Sequence, residues 1–120
     1  MKIWFLVAGI NGLLAVLLAA FGFHNLREAM TAHEFAVFSL GSQFHLGHAV
    51  ALLGVAILVG QNIRLAHFAG IAFVIGTIVF SGALYTSRLL GPLTEMAPFG
   101  LLFIIAGWIL IGLIGLRRSA

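Results

Sequence analysis

Four stretches of this sequence contain no Asp, Glu, Lys or Arg, and together they make up most of the chain. They cover residues 3–26, 35–63, 65–87 and 96–116. Each can supply the roughly 20 mainly apolar residues that an α-helix needs to cross a hydrocarbon layer about 30 Å thick. The pattern predicts an all-α integral membrane four-helix bundle. Its single transmembrane domain, residues 1–120, is expected to cross at about residues 3–23, 41–60, 65–86 and 98–116.

The composition excludes several other classes of protein. Hydrophobic residues make up 62% of the chain and charged residues 8%, which leaves too little polar surface for a soluble domain. We therefore expect the lipid bilayer to be its main partner. The six Lys and Arg residues are scattered and form no stripe, so nucleic acid is not an expected partner. The chain has no Cys, which excludes disulfides, thiolate metal sites and a Cys nucleophile.

The basic residues between the spans predict the orientation, because Lys and Arg are retained preferentially on the cytoplasmic side. With four crossings, four basic residues share one side of the membrane and two share the other. The larger group is Lys2, Arg64, Arg117 and Arg118, and the smaller is Arg27 and Arg88. This bias predicts that both termini lie inside.

The second span is predicted to begin well before the membrane. Thr31 and Glu34 fit a capping box, in which each side chain bonds the backbone amide of the other residue. A helix from near Thr31 to Gly60 would be about 45 Å long at 1.5 Å per residue, so its first part is expected to emerge from the bilayer or lie obliquely at its surface. Residues 25–30 are expected to form a short interfacial helix before it, or else a simple polar loop. Pro98 is well placed in the first turn of the fourth helix.

Fifteen glycines predict close contacts between helices, since small residues four apart let helix backbones approach. Such pairs either pack the monomer or form a dimer seam. We expect Trp4 in the aromatic belt at the membrane interface and Trp108 inside the bundle. The pairs are Ala8/Gly12, Ala15/Ala19, Gly47/Ala51, Ala56/Gly60, Ala66/Gly70 and Ala72/Gly76.

Histidines are the main candidates for chemistry, and the predicted topology places His24, His33, His45 and His48 on the outer side. His67 lies near the inner interface, and His33 is expected to be solvated. His45 and His48 share a helical face, and we expect them to form a polar cluster with His24, Ser81 and Tyr85.

Three interpretations of this cluster stay open. His24 and His48 could hydrogen-bond to Ser81, Tyr85 or backbone carbonyls and hold helices together. His24, His45 and His48 could bind zinc, copper or a haem iron. They could also form a proton relay or line a solute path. Tyr85 either belongs to the aromatic belt or closes a polar pocket over His48. No catalytic arrangement is recognisable around Ser42 or Ser81, so an enzyme is not expected.

Several segments, taken in chain order, resemble the YgdD-like family of small four-span bacterial membrane proteins. They are residues 20–26 (AFGFHNL), 45–53 (HLGHAVALL), 80–85 (FSGALY), 98–100 (PFG) and 107–108 (GW). The family pattern reads GAFGAH, a YHALALL-like block, FSGSLY and TPIGG. This chain keeps the positions of His24, His48, Ser81, Gly82, Tyr85, Pro98 and Gly100, and it differs at Ala20, Phe23, Ala83, Ala97 and Leu101.

The resemblance implies a multi-pass protein of the bacterial inner (cytoplasmic) membrane, with a domain of unknown function and no implied cofactor. Our leading hypothesis is a non-enzymatic packing or accessory protein that forms a homo-oligomer or joins a membrane complex. Its glycine-rich helices and minimal soluble portion support this hypothesis. The alternatives are the metal, haem or proton-relay site on the histidines and a small-solute carrier or channel.

Overall fold

Helices account for nearly all of the structure. It is a computed structural model that describes residues 1–87 and 95–119, without the side chain of Ser119. The four long helices are α1 (Lys2–Phe21), α2 (Ala32–Gly60), α3 (Leu65–Tyr85) and α4 (Ala97–Ser119). Each is long and apolar enough to cross a membrane. The predicted all-α membrane fold is therefore confirmed, whereas the exact membrane boundaries within the helices stay a prediction.

The connection between α1 and α2 is itself helical, as one of the two interpretations predicted. A π-helical turn (Gly22–Leu26) is followed by a 3₁₀ turn (Arg27–Ala29). The Arg27 guanidinium lies 5.0 Å from the ring centre of Phe23 and 5.5 Å from that of Phe35. These cation–π contacts join the connection to the first turn of α2.

The capping box at the start of α2 is confirmed. The Thr31 amide donates to Glu34 Oε1 at 2.9 Å, and the Glu34 amide donates to Thr31 Oγ1 at 3.1 Å. Pro98 lies in the first turn of α4, as predicted. Arg88, which we assigned to the outer side, lies outside the described residues.

The helices pack in chain order, with α1 against α2, α2 against α3 and α3 against α4. In the most apolar stretch of α3, 56% of the residues are buried. The corresponding share is 17% for α1 and 22% for α4. The side chain of Met1 meets Gly60 at the end of α2. We call this end of the bundle the Met1 end and the opposite one the Tyr85 end. The α3 helix is thus the centre of the fold, and α1 and α4 present most of their surface to lipid.

The closest helix contact joins α3 to α4 through two glycines. A Cβ on Gly100 would lie 2.5 Å from the Phe80 amide nitrogen and 2.8 Å from the Gly76 carbonyl oxygen. Neither backbone atom can move aside without shifting a helix. Since hydrocarbon supplies no hydrophobic force between helices, this close backbone approach is what packs α4 onto α3.

Gly100→Ala should therefore destabilise the protein by about 1–3 kcal/mol, the usual cost of overpacking. Unfolding in mixed micelles with increasing SDS, followed by Trp fluorescence, measures this change. Gly112→Ala on the same helix is the control, because nothing lies within 4 Å of a Cβ at that position. Equal stability of the two variants would contradict the assigned contact.

Candidate functional site

His45 and His48 of α2 make hydrogen bonds with residues of two other helices. His45 Nδ1 lies 2.9 Å from the Tyr85 hydroxyl at the end of α3. The rings of Phe38 and Tyr85 are also in contact, with centres 5.0 Å apart. His45 is buried and Tyr85 is partly buried, so this pair joins α2 to α3 near the Tyr85 end. Tyr85 therefore pairs with His45 and not with His48, which was one of the two alternatives for this residue.

Ser81 is also bonded to α2. Its hydroxyl donates to the Gly41 carbonyl at 2.7 Å, and the side chain is 1% exposed. A Cβ on Gly41 would lie 3.0 Å from Leu84 Cβ. The missing side chain at Gly41 therefore lets α2 approach closely enough for the Ser81 bond.

Both ring nitrogens of His48 are occupied. Nδ1 lies 2.7 Å from the Phe44 carbonyl oxygen, and the Trp108 indole N–H donates to Nε2 at 3.0 Å. A carbonyl can only accept and an indole N–H can only donate. These two partners require the neutral imidazole with its proton on Nδ1, so no lone pair of His48 remains for a metal ion.

Trp4 and His67 form a second tryptophan–histidine pair at the Met1 end. The Trp4 indole N–H donates to His67 Nδ1 at 3.0 Å, and its ring lies against Gly70. Trp4 is 7% exposed and Trp108 is 50% exposed. Trp108 is therefore less buried than we expected, whereas the position of Trp4 at the membrane interface stays a prediction. Each indole N–H donates to a histidine ring nitrogen, and this bond fixes the orientation of the tryptophan ring.

His24 and His33 lie apart from the buried histidines. Both are exposed, and the His24 ring makes an edge contact with the neighbouring Phe23 ring at 5.3 Å. Within residues 1–87 and 95–119, no three His, Cys, Asp or Glu side chains are grouped closely enough to hold a metal ion. The predicted five-residue cluster is thus divided into the His45–Tyr85 pair, the Ser81 bond, the His48–Trp108 pair and the separate His24.

A cavity of about 230 Å³ lies between α1 and α3, with His45 of α2 in its wall. Sequence reasoning missed two of its polar residues, Asn11 and Thr77. A signal existed, because Thr77 lies one helical turn before Ser81 and Asn11 interrupts an otherwise apolar run. The lining comprises Asn11, Leu14, Leu18, His45, Thr77, Ile78, Ser81, Gly82 and Tyr85.

Four apolar helices joined by hydrogen bonds between their polar side chains define a four-span integral membrane protein. Residues 18–100 match the family described as "Protein of unknown function (DUF423)". The chain belongs to this family, as the resemblance predicted. The family description gives no enzymatic activity.

Several bacterial relatives are similar over almost their whole length. UPF0382 inner membrane protein YgdD of Escherichia coli strain K12 is 33% identical over 117 residues, which cover 93% of this chain and 89% of YgdD. UPF0382 membrane protein YwdK of Bacillus subtilis is 35% identical over 92% of this chain and 94% of YwdK. A UPF0382 membrane protein of Staphylococcus aureus is 32% identical over 92% of this chain. No solved structure matches the chain.

The tautomer of His48 can be tested directly. In the ¹⁵N spectrum of histidine-labelled protein in detergent, we expect a protonated Nδ1 and an unprotonated Nε2 for His48. Trp108→Phe should shift the Nε2 signal and destabilise the protein by about 0.6 kcal/mol, the average for such bonds between membrane helices. Trp4→Phe is the matched control and should shift only the His67 signal. A protonated Nε2 on His48 in the unaltered protein would contradict the assignment.

Proposed function

We propose that this chain is a non-enzymatic accessory protein of the bacterial inner membrane that self-associates through one face of α2. The face consists of Gly47, Ala51 and Gly54, which follow one another at four and three residues. The observation that supports it is that, within the described part of the chain, nothing lies within 4 Å of a Cβ built on Gly47 or Gly54, the two glycines of this face. Ala51 between them packs partly against the core.

Five of the six small-residue pairs lie at helix contacts within the monomer. Ala8, Ala15, Ala56, Ala66 and Ala72 are all buried. A Cβ on Gly60 would collide with the Met1 side chain, and a Cβ on Gly70 or Gly76 would collide with another helix. Gly47 of the sixth pair differs. Like Gly54, it is exposed, and nothing lies within 4 Å of a Cβ built on either residue.

An apolar groove of about 210 Å³ continues this face. It is lined by Ala51, Gly54 and Leu58 of α2, Phe73 of α3, and Trp108 and Ile111 of α4. A second helix could approach the α2 backbone here, because two glycines remove the side chains that would hold it away.

We take the occupant to be α2 of a second copy. A face of small residues is self-complementary, because its glycines allow close approach from both sides at once. A symmetric dimer also uses the same patch twice, which is the commonest arrangement of homo-oligomers. One such face on each chain is then sufficient to form a symmetric dimer.

The contacts of the histidines favour this function over a metal, haem or proton-relay site. His48 uses both ring nitrogens within the protein, and His24 is exposed at a distance from the other two. Hydrogen bonds that hold helices together fit an accessory protein. No Asp, Glu, Lys or Arg lines the described cavities, which gives a charged solute no group to bind.

We also propose that both termini face the cytoplasm. Four crossings place the termini on one side, together with the α2–α3 turn that contains Arg64. Lys2, Arg64, Arg117 and Arg118 therefore share that side, and the excess of basic residues favours the cytoplasm for it.

Self-association can be tested by cross-linking, because the chain has no Cys of its own. At a symmetric α2 contact, Gly54→Cys should form a disulfide-linked dimer in oxidised membranes. Gly9→Cys is the matched control, since Gly9 is equally exposed, its Cβ position is also free, and it lies in the same half of the bundle. Gly54→Leu should lower the dimer fraction, measured by light scattering in detergent, and Gly9→Leu should not. Equal cross-linking of both cysteines, a monomeric unaltered protein, or copurification only with other proteins would refute self-association through α2.

The orientation predicts which introduced cysteines a membrane-impermeant maleimide reaches in spheroplasts. His33→Cys, at the exposed start of α2, should be labelled in intact spheroplasts. Gln61→Cys, which is exposed at the α2–α3 turn, should be labelled only after lysis. The reverse pattern would show that the termini lie outside.

A further inference from the structure

The α1–α3 cavity contains polar groups that the helix contacts leave unused. Five lining side chains carry nitrogen or oxygen, namely Asn11, His45, Thr77, Ser81 and Tyr85, and none of the lining residues is Asp, Glu, Lys or Arg. Leu14 and Ile78 line the same cavity and are 46% and 65% exposed at the lipid-facing surface. The cavity is therefore accessible from the bilayer, and its mostly apolar wall contains a few uncharged polar side chains.

Thr77 is the exception among the hydroxyls of α3. A helical Thr or Ser usually donates to a carbonyl one turn earlier, as Thr86 does to Gly82 at 2.8 Å, and Ser81 donates across to Gly41. Thr77 is 4% exposed, and its Oγ1 is buried without any hydrogen-bond partner in the described structure. A buried hydroxyl left unpaired destabilises a protein, so a ligand that satisfied it would bind favourably.

His45 offers a second unused atom. Its Nδ1 is bonded to the Tyr85 hydroxyl, and no residue of the two described ranges bonds to its Nε2. The Tyr85 hydroxyl can donate to Nδ1 or accept from it. If Tyr85 donates to Nδ1, Nε2 carries the proton and can donate to a carbonyl. If Nδ1 donates to Tyr85, Nε2 keeps a lone pair and can accept from a hydroxyl.

The depth of the cavity restricts the ligand further. Asn11 lies nine residues from the start of α1 and ten from its end, which places it roughly 14 Å from either end at 1.5 Å per residue. Thr77 likewise lies inside α3, away from both ends. Asn11 and Thr77 therefore lie far from the helix ends, at a depth of the hydrocarbon layer where a charged phospholipid head group is strongly disfavoured.

From this geometry we propose that the α1–α3 cavity binds an uncharged lipid whose head group carries carbonyl or hydroxyl oxygens, hydrogen-bonded by Thr77 and His45. Neutral isoprenoid quinones and diacylglycerols both have this chemistry. The apolar tail would leave past Leu14 and Ile78 into the bilayer. This site lies on a different face from the α2 groove, so it does not depend on self-association.

Photolabelling of the full-length protein in nanodiscs tests the proposal with three probes. They are a photoreactive isoprenoid quinone, a photoreactive diacylglycerol and a photoreactive phosphatidylglycerol as the charged-head control. At least one neutral probe should label α1 or α3 residues beside the cavity, identified by peptide mass spectrometry, and excess unlabelled lipid should compete. Comparison of the labelling by the two neutral probes shows which head group is bound.

Thr77→Val separates binding from structure, because valine keeps the shape of threonine and removes the unpaired hydroxyl. Labelling by the neutral probe should fall about five-fold, the effect of one lost hydrogen bond, and thermal stability in detergent should stay equal or increase. Thr86→Val, which lies outside this cavity, is the matched control and should leave labelling unchanged. Equal labelling by all three probes, no labelling by either neutral probe, or a Thr77→Val variant that labels normally would overturn the proposal.

Discussion

Hydrocarbon offers no hydrogen-bond partner, and each polar side chain inside these helices must be satisfied by another part of the protein. Ser81 donates to a carbonyl of α2, and His48 is bonded at both nitrogens. These bonds determine which face each helix turns inward, because a polar group facing lipid would stay unpaired. Thr77 does not follow this rule, and that makes it the most informative residue of the interior.

Close backbone contact is the second requirement, since apolar side chains gain little by leaving lipid for protein. Gly76 and Gly100 bring α3 and α4 together at a distance that no other residue would allow. The two tryptophan–histidine bonds then join helices that are not neighbours in the packing order. Trp4 reaches from α1 to α3 at the Met1 end, and Trp108 reaches from α4 to α2. These two bonds hold α1 to α3 near the Met1 end and α4 to α2 further along the bundle.

The two surfaces proposed here as binding sites differ in chemistry, and this separates their proposed roles. The groove beside Gly54 is apolar and lacks side chains on α2, which suits a second helix. The cavity beside Thr77 has a mostly apolar wall, no charged lining residue and one unpaired hydroxyl, which suits a neutral lipid head group. An accessory protein that binds both a second copy and a lipid is consistent with relatives named only as membrane proteins and with a family description that gives no enzymatic activity.

The sequence alone determined the four apolar helices, the capping box at Thr31 and the family, because hydropathy and capping depend on residues close together in the chain. It also predicted a cluster of His24, His45, His48, Ser81 and Tyr85, of which only His45, Ser81 and Tyr85 line one cavity in the structure. Which histidine pairs with Tyr85, which tryptophan is buried and which small-residue pair stays open were decided only by the tertiary structure. These outcomes depend on the rotation of each helix about its axis. That rotation is set by contacts between helices, and a nearly uniform apolar sequence leaves it undetermined.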